Sequence, residues 1–314
     1  MTLPTGTIAL SQVNTELGLS STALISLNDA AVRTLAGVSV GAISMDNLRG
    51  KTQSFYFTIS ANQTNANLRT LAVAAGWDQS IPVVATIGTG VVISGSVAAN
   101  STAALTIDGT WASGVTLVNN GTIAGMGGTG GAGQNASGTA SAGGRAMLVS
   151  VAVSINNGSG IIAGGGGGGG GGNYSSGSYD WVTTNSNGTS QLFAGGGGGG
   201  GGQSSNVASV GGVRGSTSGH TGSVGGPSSN PTAGNAGSIS SAGTGGSAGY
   251  ADAGSNFYSG TSYVSGTSGG IGGTWGVAGT AGVNGTAGGA AGQCLSGNSF
   301  VTWLSTGTRY GALV

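Results

Sequence analysis

Asp180, Asp252, His220 and Cys294 are the residues in the second half of the chain whose side chains could serve as acid, base, ligand or nucleophile. Paired carboxylates would suit glycoside hydrolysis, which needs both groups about 5–10 Å apart across one bond. Asp180 and Asp252 stand in separate segments, where a single carboxylate ordinarily bonds its own loop. One histidine and one cysteine are too few for a zinc site or an internal disulfide, and Cys294 reads as a small apolar residue. His220 could be drawn together with many serines, but no nucleophile-elbow motif supports a triad. Arg49-Gly50-Lys51-Thr52 ends like a phosphate-binding loop, yet Met45 stands where its first glycine belongs. The residues therefore point away from an enzyme, a metal and a cofactor.

What remains is recognition. Tyr174, Tyr179 and Trp181 lie between two uninterrupted glycine runs, 164–172 and 195–202, and Tyr250, Phe257, Tyr258 and Tyr263 share a second segment rich in Ser, Asn and Gly. Tyr and Trp provide rigid amphipathic contact area while Ser, Gly and Asn provide adaptable hydrogen bonds, the composition of a paratope. These seven aromatics, with His220, are the candidate partner-contact residues. The plainer alternative is that the aromatics merely pack over whatever the glycine runs build.

The runs must position them. With 72 glycines among 314 residues, 14 charged residues and no net charge, the chain is neither an ordinary globular protein nor a charge-rich disordered one. Lys51 is its one lysine, so no basic patch exists for nucleic acid. No apolar stretch is long enough to span a membrane, and the amino terminus does not read as a secretion signal. From about residue 121 to 292 glycine recurs in threes, most clearly at 270, 273, 276, 279, 282, 285 and 288. A period of three fits neither helix nor strand but a left-handed threefold polyproline II-type helix. Four prolines are too few for collagen. The expectation is a bundle of packed polyglycine II helices, with flexible linkers as the alternative.

The rest is more conventional. Residues 1–51 carry two short helices, one capped by Ser11 and stopped by Gly18, the other opened by Ser26 with Asp29 and stopped by Gly37. They resemble a helix-turn-helix only in length, since Arg33 is the sole cation of the second helix, and they read as a virion-attachment segment once the resemblance below is considered. Residues 52–118 read as a small mixed α/β shoulder domain with a helix over NANLRTLAVAAG and strands in FYFTIS, IPVVATI, GVVISGSV and AALTI. Residues 119–314 form the glycine-rich domain, closed by a β-hairpin turning about Ser305 to Gly307.

VTLVNNGTIAGMGGTGGAGQ from Val115, SINNGSGIIAGGGGGGGGG from Ser154 and SGNSFVTWLSTGTRYGALV from Ser296 resemble the glycine-rich adhesins of bacteriophage tail fibres, especially the distal adhesin of T-even-type long tail fibres. The first 51 residues look like an amino-terminal segment of other phage structural proteins. The resemblance implies a polyglycine II sandwich whose distal loops bind an outer-membrane protein or lipopolysaccharide, and an amino terminus that meets other tail or baseplate proteins. It implies a virion protein acting at the host surface. The rival is a structural spacer or decoration protein of the virion.

Overall fold

The chain is described by a computed structural model covering residues 2–96, 98, 101–111, 114–133, 138–183, 186–204, 208–215, 218–219, 228–253, 257–261 and 263–314, with backbone alone at 181–183, 186 and 218–219. It is mostly β, with short helices α1 (Leu10–Glu16), α2 (Ala30–Ala36) and α3 (Leu68–Ala74). Ala9, not Ser11, is the N-cap of α1, because the Gln12 side chain accepts the Ala9 N–H at 2.8 Å. α2 begins after Asp29, whose carboxylate accepts the Ser26 N–H, and ends at Gly37 in the left-handed region (φ 73°) as a glycine stop requires. Leu3, Val13, Val32, Leu35, Ala36 and Leu48 close a small core of their own.

From Phe55 the chain winds as a β-solenoid. β1 (Phe55–Ile59), β2 (Gln63–Thr64) and β3 (Ala66–Asn67) form one coil, then β4 (Val83–Ile87), β5 (Val92–Ser94) and β6 (Ala103–Ile107), then β7 (Val115–Asn119), β8 (Thr122–Ala124) and β9 (Arg145–Val149), then β10 (Val153–Asn156) and β11 (Ile161–Ala163). After seven strands elsewhere, β12 (Ser175–Thr183), β13 (Ser186–Ala194), β14 (Ser218–Gly219), β15 (Ser228–Ser229), β16 (Tyr250–Asp252), β17 (Phe257–Gly260) and β18 (Tyr263–Ser265), the winding resumes with β19 (Leu295–Ser296), β20 (Val301–Ser305) and β21 (Thr308–Tyr310). Three parallel sheets result, in the orders β1-β4-β7-β10-β20, β2-β5-β8-β11-β21 and β3-β6-β9-β19. Equivalent residues stack from coil to coil: Phe57, Ala85, Leu117, Ile155 and Trp303 in the first sheet, Ile93, Ile123 and Ile162 in the second. This is repeat logic, in which each coil buries its inward residues only against its neighbours. α3 adds Leu68 and Ala72 to the same core.

Two expectations change here. The closing segment is no hairpin, because β20 pairs with β10 and β21 with β11, both parallel, so Ser305 to Gly307 is a solenoid corner. All three sheets also draw strands from both sides of residue 118, so that boundary does not separate packed units. In the last coil Arg309 stands in the rung of Ile162 and its guanidinium lies 4.7 Å from the Trp303 ring, closing the end of the core.

The NNG motif turns a corner of the solenoid. Asn119 and Asn157 are fully buried, and the Asn119 amide donates to Asn157 Oδ1 at 2.7 Å. The Asn157 amide in turn donates to the carbonyls of Thr306 and Thr308 at 2.9 and 3.1 Å. The ladder satisfies backbone groups that leave their strands at the bend.

One other corner, between the second and third sheets, grows coil by coil. It is one residue, Asn65, between β2 and β3, then 95–102 between β5 and β6, then 125–144 between β8 and β9, then 164–294 between β11 and β19. The last two insertions hold the glycine. Ten segments run out and back: 125–133, 138–144, 164–172, 195–203, 209–215, 230–238, 243–249, 266–273, 277–283 and 286–292. They bond sideways. Gly164, Gly167 and Gly170 donate to Tyr310, Val277 and Thr280, Gly165 and Gly168 to Gly144 and Ser141, and Gly166, Gly169 and Gly172 to Gln203, Gly200 and Gly197, all at 2.7–3.0 Å. The last set shows that the two polyglycine runs lie side by side and antiparallel.

Counting partners in these bonds explains the sequence. Both 164–172 and 195–203 bond to six other segments, 125–133 and 266–273 to four, and the outer segments to three. At most glycines that a neighbour's backbone approaches, a Cβ would fall closer than 3.0 Å to a carbonyl oxygen. The fully surrounded runs are therefore all glycine and buried throughout, while 279, 282, 285 and 288 on the rim need glycine only every third residue.

Candidate functional site

The register of the glycine segments decides where every connection lies. Residues 172 and 197 mark the end of the bundle remote from the solenoid, 173–194 and 250–265 connect segments there, and Gly215 and Ser228, which bound a third connection, stand at the same end. The structure thus brings to one end the loops that hold the candidate residues. They are strands rather than open loops. β12 and β13 form a nine-residue antiparallel pair from Ser175↔Ala194 to Thr183↔Ser186, flanked by β14 and β17, and β15, β16 and β18 form a second small sheet. The two sheets enclose Tyr179, Leu192, Ala194, Ala251, Ala253 and Val264.

Tyr179 is consequently a core residue, 1 % exposed, and is corrected from contact residue to support. On an antiparallel strand with one covered face, alternate side chains turn inward, and position 179 falls on that face. Tyr258, Tyr263, Tyr174 and Phe257 are exposed by 73, 52, 40 and 36 %. Tyr250 is half-buried, its ring stacked on Tyr263 with centroids 5.9 Å apart at 26°. Trp181 is placed by its backbone, opposite Gly188 and beside Phe257, and its side chain lies outside the described residues. His220 lies outside them altogether.

Asp180 is the residue that sequence reasoning undervalued. Its two carboxylate oxygens accept from the Thr189 hydroxyl at 2.8 Å and the Ser259 hydroxyl at 2.9 Å, so it ties the central strand β12 to both β13 and β17. Those hydroxyls, Thr189 first, hold its carboxyl below the usual carboxylate range. No signal in the sequence pairs residues 180 and 259, which meet only because 195–203 and 243–249 lie next to each other in the bundle. The three terminal connections contain Asp180 and Asp252 and neither lysine nor arginine. Among the described residues there is no cluster of three or more metal-ligating side chains. Cys294 is buried in the solenoid, its thiol pushed up to about 11 by burial.

The arrangement offers aromatic faces, hydroxyls and amides on a nearly uncharged tip, suited to contact. Among the described residues no helix is long and apolar enough to cross a membrane. No curated protein matches the chain. It is similar in structure to the gp37–gp38 adhesin tip complex of the bacteriophage S16 long tail fibre, at 22 % identity, with 97 % of each chain covered and a TM-score of 0.54, a likeness of fold. The model of the phage tail fibre adhesin Gp38 family matches residues 54–314, which span the solenoid, the glycine segments and the tip. The chain belongs to the phage tail fibre adhesins of the Gp38 family, a component of the virion tail.

Proposed function

We propose that the remote end of the glycine bundle is the receptor-binding tip, that it engages an outer-membrane protein or lipopolysaccharide on the bacterial surface, and that it does so without catalysis. The observation that carries this reading is the convergence of two separate connections, 173–194 and 250–265, with their exposed aromatics, on one end. Tyr174, Trp181, Tyr250, Phe257, Tyr258 and Tyr263 are the contact residues, with His220 a further candidate; Tyr179 supports them from below. Asp180 and Asp252 are positioning or contact groups rather than an acid–base pair, Asp180 being committed to two hydroxyls.

The glycine segments are read as polyglycine II helices. The support is their threefold donor pattern and the six partners of each buried run, the hexagonal surroundings of a threefold rod. Residues 1–51, with their separate small core, are read as the attachment segment toward other tail or baseplate proteins. In the structural neighbour named above, the partner in the complex is gp37.

Purified protein should bind susceptible cells and compete with phage adsorption, and Tyr258→Ala should weaken both while melting like the wild type. Failure of the wild-type protein to bind cells or block infection would leave only the spacer role.

A further inference from the structure

We infer that Asp180 and Ser259 are the positioning pair of the tip, holding a β-bulge that sets Tyr258 out as the anchoring contact for the receptor. The inference rests on the tip reading above and narrows its candidate contacts to one anchor and the residues that aim it.

The bulge is read from the register. β17 runs along β12 with Gly260 opposite Tyr179 and Ser259 opposite Asp180, but the next residue of β12, Trp181, faces Phe257, so the pairing skips Tyr258. Regular alternation would turn Tyr258 to the side of the sheet opposite Ser259, the side on which Tyr179 is enclosed. An extra residue breaks that alternation and re-aims a side chain, which is why bulges recur beside functional sites. Tyr258 is 73 % exposed, the largest value among the described aromatics of the tip.

A bulge in a four-residue strand at the end of its sheet has to be held, and two sets of contacts hold it. On the Gly260 side, Thr261 N–H donates to Ser178 O at 2.9 Å. Glycines let the strands lie this close: a Cβ at Gly260 (φ 99°) would fall 2.6 Å from Ser178 O, and one at Gly177 would fall 2.6 Å from the Thr261 side chain. Directly beside the bulge, side chains take over. The Ser259 hydroxyl donates to one Asp180 oxygen at 2.9 Å and the Thr189 hydroxyl to the other at 2.8 Å, across three adjacent strands. Asp180 thereby ties the bulge to the nine-residue ladder of β12 and β13. A hydrogen bond to a carboxylate is a stronger tie than one between neutral groups. A ring already held where it will be bound loses less freedom on binding, so the affinity it contributes depends on what holds it.

The test measures binding of the full-length protein to outer-membrane vesicles from a susceptible host. Ser259→Ala removes the donor to Asp180 and should weaken binding about three- to tenfold, the ordering cost of one side chain, while Ser259→Thr keeps the hydroxyl and should bind within about twofold of the wild type. Tyr258→Ala removes the anchor, so adding Ser259→Ala to it should weaken binding no further. A Ser259 that serves only the stability of the tip would weaken binding equally with and without Tyr258. That result would overturn the inference, as would equal binding by Ser259→Ala and Ser259→Thr. Binding unchanged by Tyr258→Ala would remove the anchor while leaving a receptor-binding tip. Wild-type protein that fails to bind the vesicles would overturn the tip reading itself. Should Tyr258→Ala bind too weakly to measure, the comparison of Ser259→Ala with Ser259→Thr decides alone.

Discussion

Adding one methyl group at Gly167 is the sharpest test of the glycine bundle. The Cβ of Gly167→Ala would lie against the carbonyl oxygens of Gly289 and Ala290, both backbone atoms that no side-chain rotation can clear. The neighbouring segment must move. That movement strains the bonds from Gly167 N–H to Val277 O (2.9 Å), from Gly273 N–H to Gly167 O (2.7 Å) and from Gly289 N–H to Gly168 O (2.7 Å), all inside the bundle. Overpacking a close-packed interior costs roughly 1–3 kcal/mol. Each buried backbone group left without a partner adds about 1–3 kcal/mol more. We therefore expect Gly167→Ala to destabilise the protein by roughly 3–6 kcal/mol, a fall in Tm of ~10 °C for a chain of this size, and Gly167→Val to prevent folding of the bundle. The control is Ala281→Val, which adds more volume at an exposed rim position and should change stability by no more than about 0.5 kcal/mol. Scanning calorimetry or circular dichroism measures both. If Gly167→Ala melts within about 1 °C of the wild type, the run is not laterally packed and the reasoning fails.

Four further outcomes are expected. Asn157→Ala removes the acceptor of the Asn119 amide and the donor to Thr306 and Thr308, and should cost about 2–5 kcal/mol in denaturant unfolding, since buried partners are left unsatisfied. Tyr179→Ala should lower the melting temperature through a loss of about 3–5 kcal/mol, whereas Tyr258→Ala should leave it unchanged and weaken vesicle binding about tenfold. The folded carboxyl of Asp180 is depressed, so its stabilisation of the tip is complete above the unfolded value of about 4 and is lost as pH falls through the lower folded value. Pepsin should accordingly cut the wild-type tip faster as pH is lowered through that window, and Asp180→Asn should abolish this pH dependence. Cys294, buried and raised to about 11, should resist iodoacetamide at pH 8 until the protein is unfolded.

Several strands of the first two coils were legible residue by residue, though not the solenoid they build. IPVVATI and AALTI announce β4 and β6 because alternate inward side chains must be apolar, and NANLRTLAVAAG announces α3 through Leu68 and Leu71. The ends of elements were less so: Gln12 rather than Ser11 satisfies the start of α1, a choice between two neighbouring polar side chains that spacing does not make. The closing VTWLSTGTRY was misread for a general reason. A hairpin and a solenoid corner have the same local signature, two short strands about a glycine, and only the partners β10 and β11, some 150 residues away, tell them apart.

By itself the sequence determined where backbones must touch. Glycine at every position of 164–172 and 195–202, and at every third on the rim, is a record of how many neighbours press on each segment, because a Cβ is excluded wherever a carbonyl approaches. It also determined that the aromatics belong to the connections, since the packed segments have no room for side chains. Only the tertiary structure decided which connections share an end, which aromatics face outward and which hold the tip together. Tyr179 and Tyr258 are indistinguishable in composition and context, yet one is enclosed between two small sheets and the other stands in solvent. The difference arises from strand pairing between residues 80 apart, brought together by lateral hydrogen bonds that glycine permits but does not address.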